Sequence, residues 1–200
     1  MKKVLMLFVI FTFSQIAGAV QTENFGWEGT ETILGMYPAG GIIAQIATDP
    51  VHGGSQSLYI EENDSKGTSQ AFVALITGLQ VGDTLDAEFW RYDTTPGGSP
   101  SIRIWAHWIS DPGDINSYSV SAGGNDDYGP GTGWDLTSWS WESTADSLHS
   151  IVIEARIYSA VGDAGWIDDM TITAPDGATI TTPGNVSLES GTWADIKAAF

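Results

Sequence analysis

The 200-residue chain has no cysteine. Disulfides, thiolate metal centres and cysteine nucleophiles are therefore excluded. A chain of this size builds a sufficient core without cross-links. Positive charge is scarce too. Seven Lys and Arg stand against 25 Asp and Glu, a formal charge of −18. Charge attraction to nucleic acid or to an anionic membrane is not expected. Long apolar runs are missing apart from Val4 to Phe13, which falls short of the roughly 20 residues a membrane span needs. Helical periodicity is almost absent before the last residues.

What is present begins with a processing signal. Lys2 and Lys3, the apolar run and "AGA" at Ala17 to Ala19 read as a secretory signal peptide over residues 1–19. Its removal would leave five basic residues against 25 acidic ones, a formal charge of −20. A secreted, extracellular or cell-surface domain with no transmembrane segment in the mature chain is expected. Such acidity serves solubility, and some carboxylates would also suit calcium, a hard, oxygen-seeking ion.

Short alternating runs separated by turn chemistry fill the middle of the chain. The clear strands are "SQSLYIEE" (55–62), "QAFVALITGL" (70–79), "DTLDAEFWRY" (83–92), "SIRIWAHWIS" (101–110), "TSWSWEST" (137–144), "SIVIEARIYS" (150–159) and "GWIDDMTIT" (165–173). Gly, Pro, Asn and Asp mark the turns between them. Such spacing predicts an all-β fold, an antiparallel sandwich, over residues 20–174. The Pro/Gly/Thr-rich stretch 175–185 reads as a linker. In the tail, 186–200, Trp193, Ile196, Ala199 and Phe200 recur at helical spacing. That tail could dock on a cell-surface or assembly partner, or fold back on its own domain.

Parity within the strands separates core from surface. In "GWIDDMTIT", Trp166, Asp168, Met170 and Ile172 share one side, and Ile167, Thr171 and Thr173 the other. An inward Asp168 needs a strong partner, because a buried unpaired carboxylate is costly. Three other strands put an apolar face opposite an unusual one. Glu88, Trp90 and Tyr92 oppose Leu85, Ala87 and Phe89. Arg103, Trp105 and His107 oppose Ile102, Ile104, Ala106 and Trp108. Glu154, Arg156 and Tyr158 oppose Ile151, Ile153, Ala155 and Ile157. Aromatic rings beside Arg, Glu and His suit sugars, whose C–H faces stack on rings and whose hydroxyls bond to polar groups. Loops covering this face, with Glu–Arg pairs satisfied across strands, are the structural alternative. Trp139 and Trp141 share a parity and are assigned to the core, and Trp27 and Trp134 to packing. Asn125, Asp126 and Asp127 form an acidic turn or a second cation site.

The stretches "NFGWEG", "VHGGSQSLYI", "ITGLQVGDTLDAEFW", "GWDLTSWSWESTADSLHSIVIEARIY" and "GWIDDMTIT", in this order, resemble the calcium-containing β-jelly-roll carbohydrate-binding modules of secreted bacterial proteins, the galactose-binding-like domains. The resemblance implies a jelly roll with a structural calcium where the first strand, the "GGSQSL" strand and the last strand meet. It implies ligands from the Glu28 carboxylate, backbone carbonyls around Gly54 and Ser57, and Asp168. The nine outward residues above point to a polysaccharide or glycan partner bound without catalysis on a concave face that carries them. An adhesive or structural surface domain is the first alternative. A jelly-roll lyase or hydrolase, using Arg103, His107, Arg156 and Tyr158 or the pair Glu88 and Glu154, is the second. No lyase or hydrolase motif is recognisable.

Overall fold

A computed structural model describes residues 19–64, 67–94, 101–144, 148–158 and 160–185. The expected signal peptide, apart from Ala19, lies outside the described residues. So do the tail 186–200 and the side chain of Tyr158.

The expected all-β sandwich is what forms. The strands are β1 (Val20–Phe25), β2 (Gly35–Tyr37), β3 (Ile42–Ala47), β4 (Ser57–Glu62), β5 (Ser69–Thr77), β6 (Thr84–Asp93), β7 (Ser101–Ile109), β8 (Tyr118–Gly124), β9 (Gly133–Glu142), β10 (Ser150–Tyr158), β11 (Ala164–Pro175) and β12 (Thr179–Thr181). They make two antiparallel sheets. Sheet A runs β3-β4-β11-β6-β9, with β1 also on β11. Sheet B runs β12-β5-β10-β7-β8, with β2 also on β5. All seven strands read from the sequence are present.

Alternation builds the core between the sheets. Leu58, Ile60, Leu85, Phe89, Ile172 and Trp141 from sheet A meet Val73, Ile76, Ile104, Ala106, Ile153 and Ile157 from sheet B. Trp27, fully buried, bonds through Nε1 to the Thr32 carbonyl at 2.7 Å. Arg91 sits at an inward position and clamps the layers. Its Nη1 donates to the carbonyls of Ile102 (2.9 Å) and Asp127 (2.8 Å), and its Nη2 pairs with Asp135 at 2.8 Å.

Three expectations need correction. First, the parity of "GWIDDMTIT" breaks inside the motif. Asp168 pairs with Trp90 and Thr171 with Glu88, so β11 carries one extra residue between them, a β-bulge. Asp169 takes the left-handed conformation there, with φ 46°. Upstream of the bulge Ile167 is the core residue and Trp166 faces outward; downstream Met170 and Ile172 point in. Second, Trp139 is 41% exposed, whereas Trp141 is buried as expected. Strand β9 is the edge of sheet A, so its inward positions are not all covered. Third, residues 175–185 are folded. Strand β12 pairs with Thr77, Ile76 and Leu75 of β5, and a 3-10 turn follows over Pro183–Asn185, with Thr182 and Pro183 buried.

Candidate ligand-binding site

The residues expected on one face lie on two. Strand β6 belongs to sheet A, whereas β7 and β10 are paired in sheet B. Glu88, Trp90 and Tyr92 therefore point away from one side of the sandwich. Arg103, Trp105, His107, Glu154 and Arg156 point away from the other. Parity along single strands assigns in and out, but it cannot say which sheet a strand joins.

On sheet B the register places Val152 beside His107, Glu154 beside Trp105 and Arg156 beside Arg103. Glu154 is fully buried. Its Oε1 meets His107 Nδ1, and its Oε2 accepts from Arg156 Nε. A buried carboxylate needs such charged partners. Arg156 also lies over the Trp105 ring at 4.7 Å. Arg103 pairs with Asp126 at 2.7 Å and lies over Tyr128 at 4.5 Å. The turn "GGNDDYGPGTG" thus serves the arginines: Asp126 binds Arg103, and the Asp127 carbonyl binds Arg91. Among the described residues no group of three acidic or His side chains converges as a metal site.

A groove of about 430 Å3 opens beside this cluster, lined by Tyr37, Gln70, Phe72, His107, Tyr118 and Arg156 among others. Tyr37 and Tyr118 are 59% and 57% exposed. Phe72 packs on His107 at 5.2 Å, and Tyr118 tilts over it at 5.2 Å. The loops carrying Leu34 and Ile115 pack on Phe72, Ile109 and Val152 and close one end of the face. His107 Nε2 is buried and has no hydrogen-bond partner among the described residues. The sequence reading missed Tyr37, Gln70, Phe72 and Tyr118. Short β2 and Ser/Gly-rich β8 give little strand signal, and on β5 an extra residue breaks the alternation between Phe72 and Ala74.

On sheet A the rings touch in series. Tyr59 meets Trp166 at 5.3 Å, Trp166 meets Tyr92 at 5.7 Å, and Tyr92 meets Trp134 at 5.3 Å. Trp134 meets His52 at 5.4 Å, and His52 stacks on Trp90 at 4.0 Å. Further along β6, Glu88 lines a second groove with Asp86, Ser138, Trp139, Thr171 and Thr173.

The residues implied for calcium gather around one loop. Asp168, fully buried, accepts from the N–H groups of His52 (2.9 Å) and Gly53 (3.1 Å) at Oδ2, and of Asp169 (2.8 Å) at Oδ1. Burial pushes its carboxyl up from the usual range, and these N–H bonds work against the rise. Glu28 accepts from the Ser55 hydroxyl at 2.7 Å and N–H at 2.9 Å, and from the Gln56 N–H at 3.2 Å. The Ser55 hydroxyl is the main reason its carboxyl is held low. Asp169 pairs with His52 at 2.7 Å. A Cβ at Gly54 would stand 2.0 Å from Glu28 Oε1, so the loop comes this close only as glycine. Three carboxylates border this loop without converging on one point. The loop turns N–H groups toward Glu28 and Asp168.

The fold is a two-sheet antiparallel β-sandwich, and solved structures share it. The particular likenesses are distant. The tandem of CBM22 domains from Paenibacillus barcinonensis Xyn10C superposes with a TM-score of 0.54 at 12% identity over 81% of this chain and 48% of that one. An arabinose-bound MgGH51 α-L-arabinofuranosidase gives 0.50 at 13% identity, over 75% of this chain and 25% of that one. The single CBM22-1 xylan-binding domain of Xyn10C gives 0.48 at 13% identity, over 81% of this chain and 98% of that one. No family model matches the chain, and no curated protein matches it.

Proposed function

We propose that this chain is a carbohydrate-binding module of an exported protein, binding a glycan in the groove on the outer face of sheet B. The observation that carries this is the groove itself: exposed Tyr37 and Tyr118 stand over a floor where Glu154 holds His107 and Arg156 in place. Tyr118, Tyr37 and Trp105 offer ring faces for sugar C–H groups. Gln70, His107 and Arg156 offer polar contacts to hydroxyls. A pre-set polar floor costs little ordering on binding. Arg103 serves the face through Tyr128 and Asp126, and Tyr158 belongs to the proposal by its place on β10. The likeness to a CBM22 tandem supports the fold of such a module.

Affinity electrophoresis against a polysaccharide panel, followed by calorimetry with hexasaccharides, tests the proposal. Tyr118→Ala should weaken binding by roughly tenfold, the ratio that loss of one good ring contact gives, with the melting temperature unchanged. Absence of binding to every glycan would refute it. Among the described residues the buried His107–Glu154 pair would serve a catalytic reading, and release of unsaturated or reducing sugars during the same incubations would establish that reading instead.

A further inference from the structure

The outer face of sheet A holds the residues that the sheet B groove leaves unused. A row of rings, Tyr59, Trp166, Tyr92, Trp134, His52 and Trp90, crosses β4, β11, β6 and β9 and the loop before β4. Leu136, paired with Trp90 across the sheet, is 41% exposed. The row leads into a groove of about 380 Å3 lined by Asp86, Glu88, Ser138, Trp139, Thr171 and Thr173. There the carboxylates of Asp86 and Glu88 stand beside the Ser and Thr hydroxyls. An ordinary solvated sheet face carries Thr, Ser, Lys and Glu rather than a file of rings.

The charge of the face narrows the occupant. Asp86, Glu88 and Glu61 line or flank it, and the His52 ring in the row is bonded to Asp169. The whole chain carries −18. A second copy of this chain or a polyanion would be repelled. A neutral sugar chain fits: its hydroxyls donate to Glu88 and Asp86, its ring faces lie along Trp90 and Tyr92, and it brings no charge to be desolvated.

We propose that sheet A carries a second, independent glycan site, selective for neutral chains, on the side of the sandwich opposite the sheet B groove. One module would then hold two polysaccharide chains at once. The two sites differ in chemistry. Sheet B presents Arg156, Arg103 and His107 and tolerates an acidic sugar, whereas sheet A does not.

The test is calorimetry of the full chain with xylohexaose, cellohexaose, mannohexaose and hexagalacturonate, repeated on Tyr92→Ala, Trp90→Ala and Tyr118→Ala, with thermal melts as fold controls. The expected result is two sites for a neutral hexasaccharide. Tyr92→Ala and Trp90→Ala should each weaken one site by roughly tenfold and leave the other, and Tyr118→Ala should do the reverse. Beads coated with the matching polysaccharide should be cross-linked by the wild type and by none of the three variants. One site, lost in Tyr118→Ala and unaffected by Trp90→Ala and Tyr92→Ala, would overturn the sheet A proposal while leaving sheet B standing. One site lost in Trp90→Ala and Tyr92→Ala but kept in Tyr118→Ala would uphold sheet A and overturn the sheet B reading. Equal affinity of the sheet A site for hexagalacturonate would overturn its stated selectivity.

Discussion

Two carboxylates bordering the 52–56 loop carry opposite signs of pH linkage. Glu28 is held low by the Ser55 hydroxyl and N–H. A carboxyl depressed on folding adds stability above its ordinary value of 4.5, and that stability is lost as the pH falls through the folded value. Asp168 is raised, chiefly by burial, against the N–H bonds from Gly53, Asp169 and His52. Its ionised form therefore costs stability at neutral pH, and the cost is relieved as the pH falls toward the ordinary 3.8. Denaturant unfolding of Glu28→Gln and Asp168→Asn between neutral and acid pH should show this. The deficit of Glu28→Gln should shrink as the pH falls, and that of Asp168→Asn should grow. Parallel curves would mean that neither carboxyl differs between the folded and unfolded chain. Asp168→Ala would strand three N–H groups and should cost about 3 kcal/mol or more. At alkaline pH, Tyr59 is the sensitive group. Burial and then Glu61, whose Oε2 accepts from the phenol at 2.5 Å, push it up to about 12. A raised phenol gives stability that is complete below the ordinary value of 10 and is lost as the pH rises through about 12. Glu61→Gln should bring the folded-state tyrosinate absorbance titration back toward the ordinary value.

At the scale of elements, alternation was legible wherever a strand was regular. Strands β6, β7 and β10 follow it closely in the core. It failed at three kinds of place. In β11 the extra residue at Asp168–Asp169 swaps the faces of Trp166 and Ile167, and two adjacent Asp carry no glycine to announce a left-handed turn. In β9 parity held for Trp141 but could not say that Trp139 lies at an uncovered edge. In 175–185 the composition is that of a linker, yet Ile180 sits between two Thr that pair with β5 and packs on the core. A three-residue strand offers too short an alternation to stand out. The folded status of that segment is testable. Ile180→Asp should destabilise the domain by about 2 kcal/mol, the worth of one partly buried aliphatic side chain plus a misplaced charge. An unchanged midpoint in urea would return the segment to the role of linker.

For the whole molecule, the sandwich and its core were legible, whereas the candidate binding face was legible only as a set of residue types. Its division between two sheets follows from strand order, β6 in one layer and β7 and β10 in the other, and no local pattern encodes that. Strand order also brings the two ends of the described chain together. Strand β1 lies along β11, and the 52–56 loop bridges from Asp168 and Asp169 on β11 to Glu28, just after β1. That seam concentrates negative charge in a chain already at −18. Calcium belongs to the proposal here, with Glu28, Asp168 and the carbonyls near Gly54 and Ser57 as its ligands, because one ion would lower the repulsion and tie first strand, loop and last strand together. A ligand present at 100 times its Kd adds about 2.7 kcal/mol, on the order of 5 °C for a domain of this size. Melts in calcium, in magnesium at the same ionic strength and in chelator separate this from plain screening. Calcium should raise the midpoint above that in magnesium, and Asp168→Asn should abolish the difference. A midpoint that follows ionic strength alone would leave the N–H groups of His52, Gly53, Ser55, Gln56 and Asp169 and the Ser55 hydroxyl as the partners of Glu28 and Asp168 among the described residues, and would take calcium out of the account of this fold.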